Sequence, residues 1–145
     1  MNLIVEPFRP YHLELLVAQG VQPEQTQQVS HVPAGYANVE KPPGPAVTLF
    51  GGGRIILCGG ILTMNPKLGV LWAVVSPLAG QHMLWIHRAT LRFIDATPLR
   101  RLEATVEKGF DAGCRWLGLL GFDYEGDMRA YGEDGETHCR YGLVR

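Results

Sequence analysis

Apolar and polar positions in NLIVEPF, residues 2–8, alternate loosely, and the run stops before Pro10, whose fixed φ and missing N–H suit the first turn of a helix. A strand leading into a helix is predicted. Leu13, Leu16 and Val17 fall at i, i+3 and i+4, leaving His12, Glu14 and Gln19 to water, and Gly20 ends this short amphipathic helix. The stretch from Pro23 to Ser30 has helix-compatible polar residues but only Val29 as an apolar anchor, which predicts a peripheral helix. From His31 to Pro45 the density of proline and glycine predicts a loop or lid. AVTLF and RIILCGGIL, joined at Gly51–Gly53, read as a hairpin, and the nearly continuous apolar run GVLWAVVS reads as a central strand buried on both faces.

Pro77 to Gly80 breaks that strand. From Gln81 to about Ala96, Met83, Ile86, Thr90 and Phe93 share a helical face while Arg88, Arg92 and Asp95 lie elsewhere, the pattern of a crossover helix. In RRLEATVEK, Leu102, Ala104 and Val106 alternate with Glu103, Thr105 and Glu107, which predicts a strand with one buried face. A shorter helix is expected from about Ala112 to Leu120, with Trp116 and Leu120 on one face and Gly121 as the stop. The remaining residues form two runs around Glu133-Asp134-Gly135, a closing hairpin. This order of elements belongs to the α/β class with a mixed sheet.

Composition narrows the function classes. The 145 residues suit one domain, residues 1–145, and 46% hydrophobic residues supply a core. Thirteen Lys and Arg against fourteen Asp and Glu leave a net charge of −1, so no global field favours nucleic acid or an anionic membrane. No apolar run is long enough for a membrane helix, and the first residues lack the pattern of a signal peptide, so a cytoplasmic protein is expected. Cys58, Cys114 and Cys139 form no C-x-x-C pair, and the histidines show no i, i+4 pairing, so no metal site is expected. Gly51-Gly52-Gly53-Arg54 lacks the following Gly-Lys-Ser or Gly-Lys-Thr of a phosphate loop and reads as a turn. Arg88, Arg92, Arg100 and Arg101 read as a solvated face, with phosphate or nucleic-acid contact as the alternative.

The stretch LGLLGFDYEGDMRAYGEDG, Leu117 to Gly135, resembles the C-terminal signature of the Gcn5-related N-acetyltransferase (GNAT) superfamily, and GVLWAVVSP followed by AGQHM is similarly placed to its strand and pyrophosphate-binding turn. LWAVVSP, HRATLRFIDA and RWLGLLGF resemble, more narrowly, GNAT-like proteins of tailed bacteriophages, including the internal virion protein A family. The resemblance implies the GNAT-like (acyl-CoA N-acyltransferase) fold, a central mixed, mostly antiparallel sheet flanked by helices. It implies acetyl-CoA as cofactor, an amine as acceptor, and Val74, Val75, Ser76, Gly80, Gln81, His82 and Arg115 as the residues around the cofactor.

The family turn, Arg or Gln, x, x, Gly, x, Gly or Ala, is matched only in part. Ala79 takes the basic or amide position and His82 and Leu84 take small-residue positions, so the turn is degenerate. Leu117 stands where a general-acid tyrosine is often found. Tyr124, Tyr131 or Cys114 as acid and His82 or Glu103 as base are candidates by residue type, and no catalytic residue is assigned. Two readings follow: a phage or prophage N-acetyltransferase, or a non-catalytic GNAT-like virion component or host-interaction protein. Oligomerisation through a terminal edge strand is compatible with either.

Overall fold

The computed structural model describes residues 2–19, 27–30 and 44–145. Eight strands form one sheet: β1 (Leu3–Pro7), β2 (Gln27–Val29), β3 (Ala46–Gly51), β4 (Arg54–Asn65), β5 (Leu68–Val75), β6 (Arg101–Glu107), β7 (Asp123–Met128) and β8 (His138–Val144). The main order is β1-β3-β4-β5-β6-β8-β7. Among the described residues only β5 and β6 pair in parallel, and the crossover between them is made by α2 (Met83–Asp95); α1 (Tyr11–Ala18) follows β1 and α3 (Asp111–Leu119) follows β6. The sheet is therefore mixed and mostly antiparallel, flanked by helices as expected.

β5 sits in the middle because its sequence is apolar at consecutive positions. Leu71, Ala73 and Val75 pack with residues of α2 and α3, whereas Trp72 and Val74 pack with Phe8 and Leu16 beside α1. The β3–β4 hairpin closes through Gly52 and Gly53, both at positive φ, the backbone a two-residue turn demands. α2 buries Ile86 and Ile94 and leaves Arg88, Arg92 and Asp95 exposed. Its last turn is held by Arg145, which donates from Nη1 to the Ile94 carbonyl at 2.6 Å, a cation at the negative end of the helix. α3 stops where Gly121 turns to φ +97°, with the Phe122 N–H donating back to the Leu117 carbonyl at 3.0 Å.

Three expectations are corrected. Residues 27–29, assigned to a peripheral helix between Pro23 and Ser30, form an extended strand, because the free edge of β5 offers hydrogen bonds that a weakly amphipathic helix cannot match. His12 and Gln19 are not left to water. His12 is buried beneath α1, and Gln19 accepts from the Ile55 N–H and donates to the Ile55 carbonyl, at 2.7 and 3.0 Å. The crossover helix begins at Met83 rather than Gln81, because Pro77–His82 forms a 3-10 turn ahead of it. The expected loop from His31 to Pro45 lies, up to residue 43, outside the described residues.

Candidate functional site

The parallel pairing of β5 with β6 covers Leu68↔Arg101, Gly69↔Leu102 and Val70↔Glu103 and then ends. Beyond those three pairs the strands separate, and β2 lies antiparallel on the edge β5 has released, pairing Gln27↔Val75, Gln28↔Val74 and Val29↔Ala73. The next residue crosses to the other side of the opening. Ser30 donates its N–H to the Thr105 carbonyl at 2.7 Å, and its Oγ accepts the Thr105 N–H at 3.0 Å. Val29 is 3% exposed and belongs to the main core. Ser30 holds φ at +47°, a conformation that a serine keeps only where surrounding contacts fix it. The chain thus places its own segment between the two strands that pair in parallel among the described residues.

A cavity of about 280 Å³ lies where β5 meets the following turn, lined by Val75, Ser76, Pro77, Ala79, Gly80, Met83, Ala112 and Trp116. The structure therefore brings three of the seven expected cofactor residues, Val75, Ser76 and Gly80, to one cavity, and Gly80 faces open space. Val74 lies on the opposite face of the sheet, packed with the α1 core. Gln81 is an exposed member of the 3-10 turn. His82 turns toward the β3–β4 hairpin, where a Cβ on Gly51 would stand 3.3 Å from its Nε2, and Arg115 is exposed on α3. Ala112 and Trp116 were not among the expected residues; the regular helix spacing from Ala112 to Trp116 was the one available signal.

The groups named as acid or base do not line this cavity. Glu103 accepts from Arg101 Nε at 3.0 Å, and Tyr124 donates its hydroxyl to Asp127 Oδ1 at 2.6 Å. That hydrogen bond to a carboxylate holds the Tyr124 phenol up at about 12. Asp127 is held down at about 2 by Lys108 and then Tyr124, and burial pushes the Cys139 thiol beside it to about 11. Tyr131 packs at a tilt against His138, with ring centroids 5.2 Å apart, and Cys114 lies against Tyr141 on the α3 side of the sheet. Leu117 is fully buried. Trp116 carries an indole N–H that is buried with no hydrogen-bond partner among the described residues. Among the described residues no group of His, Cys, Asp or Glu is arranged to hold a metal ion, and no helix is long and apolar enough to cross a membrane.

Acyl-CoA can be tested against these groups. A pyrophosphate wants free backbone N–H groups or cations. At this turn Pro77 has no N–H, the Leu78 N–H is taken by Ser76 Oγ at 3.1 Å, the Ala79 N–H is taken by the Ser76 carbonyl at 2.9 Å, and among the described residues no Lys or Arg lines the cavity. The extended diamide arm of CoA would add to a strand edge as a peptide does. The edge nearest the cavity belongs to β5, and β2 occupies it. The Leu78 and Ala79 N–H groups and the β5 edge are therefore already taken and not open to the cofactor.

No family model matches the sequence, and no curated protein matches it. Solved structures do match the fold. A GNAT-family acetyltransferase from Streptococcus pneumoniae superposes with a TM-score of 0.71 at 16% identity over 99% of each chain. The ribosomal-protein-S18-alanine N-acetyltransferase from Escherichia coli gives 0.70 at 14% identity, covering 99% of this chain and 94% of that one. An N-acetyltransferase from Staphylococcus aureus Mu50 gives 0.74 at 6% identity, covering 99% and 98%. The chain has the GNAT fold.

Proposed function

We propose that this chain is a non-catalytic GNAT-fold module that acts by contact with a protein, and that its acyl-CoA cleft has been converted into part of its own core. The observation that carries this reading is β2, which pairs with β5 while Ser30 bonds to β6, across the opening where a cofactor arm would lie. The 3-10 turn supports it, since Ser76 already satisfies the Leu78 N–H. Contact surface is available elsewhere: β1 is an edge strand with Ile4 and Val5 exposed, and Tyr11 and Leu15 are exposed one turn apart on α1. The resemblance to tailed-phage proteins directs the partner search to virion and host proteins.

A second reading, an acetyl-CoA-dependent N-acetyltransferase acting on an amine, is favoured by the cavity beside Gly80, where a ligand would meet no steric barrier. Calorimetric titration with acetyl-CoA and CoA separates the two. Silence up to millimolar cofactor is the expected result. Binding at tens of micromolar, about 6 kcal/mol, that is lost in Gly80→Val with the fold intact would overturn the first reading and establish the second.

A further inference from the structure

A second cavity, also of about 280 Å³, lies between the sheet and α2. The sheet contributes Leu49, Leu57 and Ala73, and α2 contributes Ala89 and Phe93. Small side chains create the space: Ala73 lies beside Gly59 in the β4–β5 register, and Ala89 lines the cavity from the helix. The hydroxyl of Thr90, which also lines it, is already donated to the Ile86 carbonyl at 2.8 Å. The interior is therefore left with aliphatic and aromatic surface, which water leaves readily and an apolar chain fills.

The opening has different chemistry. Arg92 is an exposed residue of the lining, so it marks where the cavity meets solvent. Arg88 is also exposed and stands one turn earlier on the same helix, and neither arginine forms an ion pair with any described residue. Two guanidinium groups at i and i+4 repel one another, and an anion placed beside them removes that repulsion. An apolar interior with Arg92 in its lining and Arg88 one helical turn away is complementary to an amphiphile with a negative head.

We propose that this cavity binds a medium-chain carboxylate, with the aliphatic tail between Leu49, Leu57 and Phe93 and the carboxylate paired with Arg92. Size sets the chain length: a cavity of about 150 Å³ holds benzene, so one nearly twice as large takes a chain of about eight carbons. The lining shares Trp116 with the cavity at the turn and includes Val29 of β2, but it contains none of Ser76–Gly80 and its occupant needs no pyrophosphate, so octanoate and acyl-CoA binding are read out separately.

Calorimetric titration of the full chain with sodium octanoate tests it, with tryptophan fluorescence followed in parallel because Trp116 lines the cavity. One saturable site is expected. Arg92→Glu, at an exposed position, is expected to weaken octanoate at least tenfold while leaving octan-1-ol unchanged. Ala89→Phe is expected to abolish both, with its circular dichroism checked against the parent. If Ala89→Phe does not fold, the methyl resonances of Leu49 and Leu57 in the unaltered protein supply the same answer, since octanoate must shift them. No saturable octanoate binding, unmoved methyl resonances, or affinity unchanged in both variants would overturn the proposal.

Discussion

The two halves of the sheet are built differently. β3, β4 and β5 pack apolar residues on both faces, with α1 on one side and α2 on the other. β6 and β8 send Leu102, Ala104 and Leu143 toward the α3 side, but the opposite face carries Arg101 paired with Glu103 and with Glu125 of β7. The polar groups differ in the same way. In the first half His12 is buried, its Nδ1 accepting the Arg9 N–H at 3.0 Å and standing 2.7 Å from Thr48 Oγ1. In the second, Lys108 meets Asp127 at 2.7 Å on a surface open to water. Contacts of similar length thus have different energetic weight, because a buried group has no water to return to when its partner is lost.

Substitutions can break this contrast in graded steps. Trp72→Ala, at a side chain 1% exposed in the first half, is expected to cost about 3–5 kcal/mol in urea denaturation, since it empties the layer under α1. Val29→Asp places a charge in the core between the halves; it is expected to cost about 3 kcal/mol or more and to unpair β2 while β4–β5 amides stay protected in hydrogen exchange. His12→Leu leaves the part-buried Arg9 N–H without its acceptor and removes the ring nitrogen that stands 2.7 Å from Thr48 Oγ1, a loss of about 1–3 kcal/mol.

The same histidine gives a pH signature. Burial lowers its pKa below the ordinary 6.5, so between that value and the folded one the unfolded chain binds more protons than the native protein. Stability from the neutral ring is complete above pH 6.5 and falls as the pH drops toward the folded value. That slope is expected to vanish in His12→Leu, and its persistence there would assign it to another group. The smallest effects belong to the second half. Lys108→Ala is expected to leave the urea midpoint unchanged, and Asp127→Asn is expected to lower the Tyr124 titration from about 12 toward 10 in ultraviolet absorbance.

Most of the sheet was legible because its signals are local. The unbroken apolar run of β5, the period-two pattern of β6 and the glycine turn at Gly52–Gly53 each carry their structure within a few residues. His12 and Gln19 were misread because their partners, Thr48 and Ile55, are 36 residues away and periodicity registers only that a position is polar. β2 was misread for a related reason. Three residues with one valine have no pattern of their own, and they become a strand only because β5 and β6 diverge beside them. Ala79, His82 and Leu84 were legible as departures from the family pattern, but the approach of His82 to Gly51 was not, since it depends on the separately formed β3–β4 hairpin.

The Ser30–Thr105 pair also bears on how the molecule assembles. Its two partners are 75 residues apart, so the loop they close is long and the entropy of closing it must be offset by contacts made beforehand. β2 has only three residues with which to do so, whereas β4 and β5 share eight aligned pairs across a short turn. Chain order and folding order are therefore expected to diverge, with the hairpin and the crossover forming a framework first and a segment synthesised long before β6 docking into it last. Slow ordering at Val29, after the β4–β5 amides are already protected, is the kinetic mark of a protein completed from its middle outward.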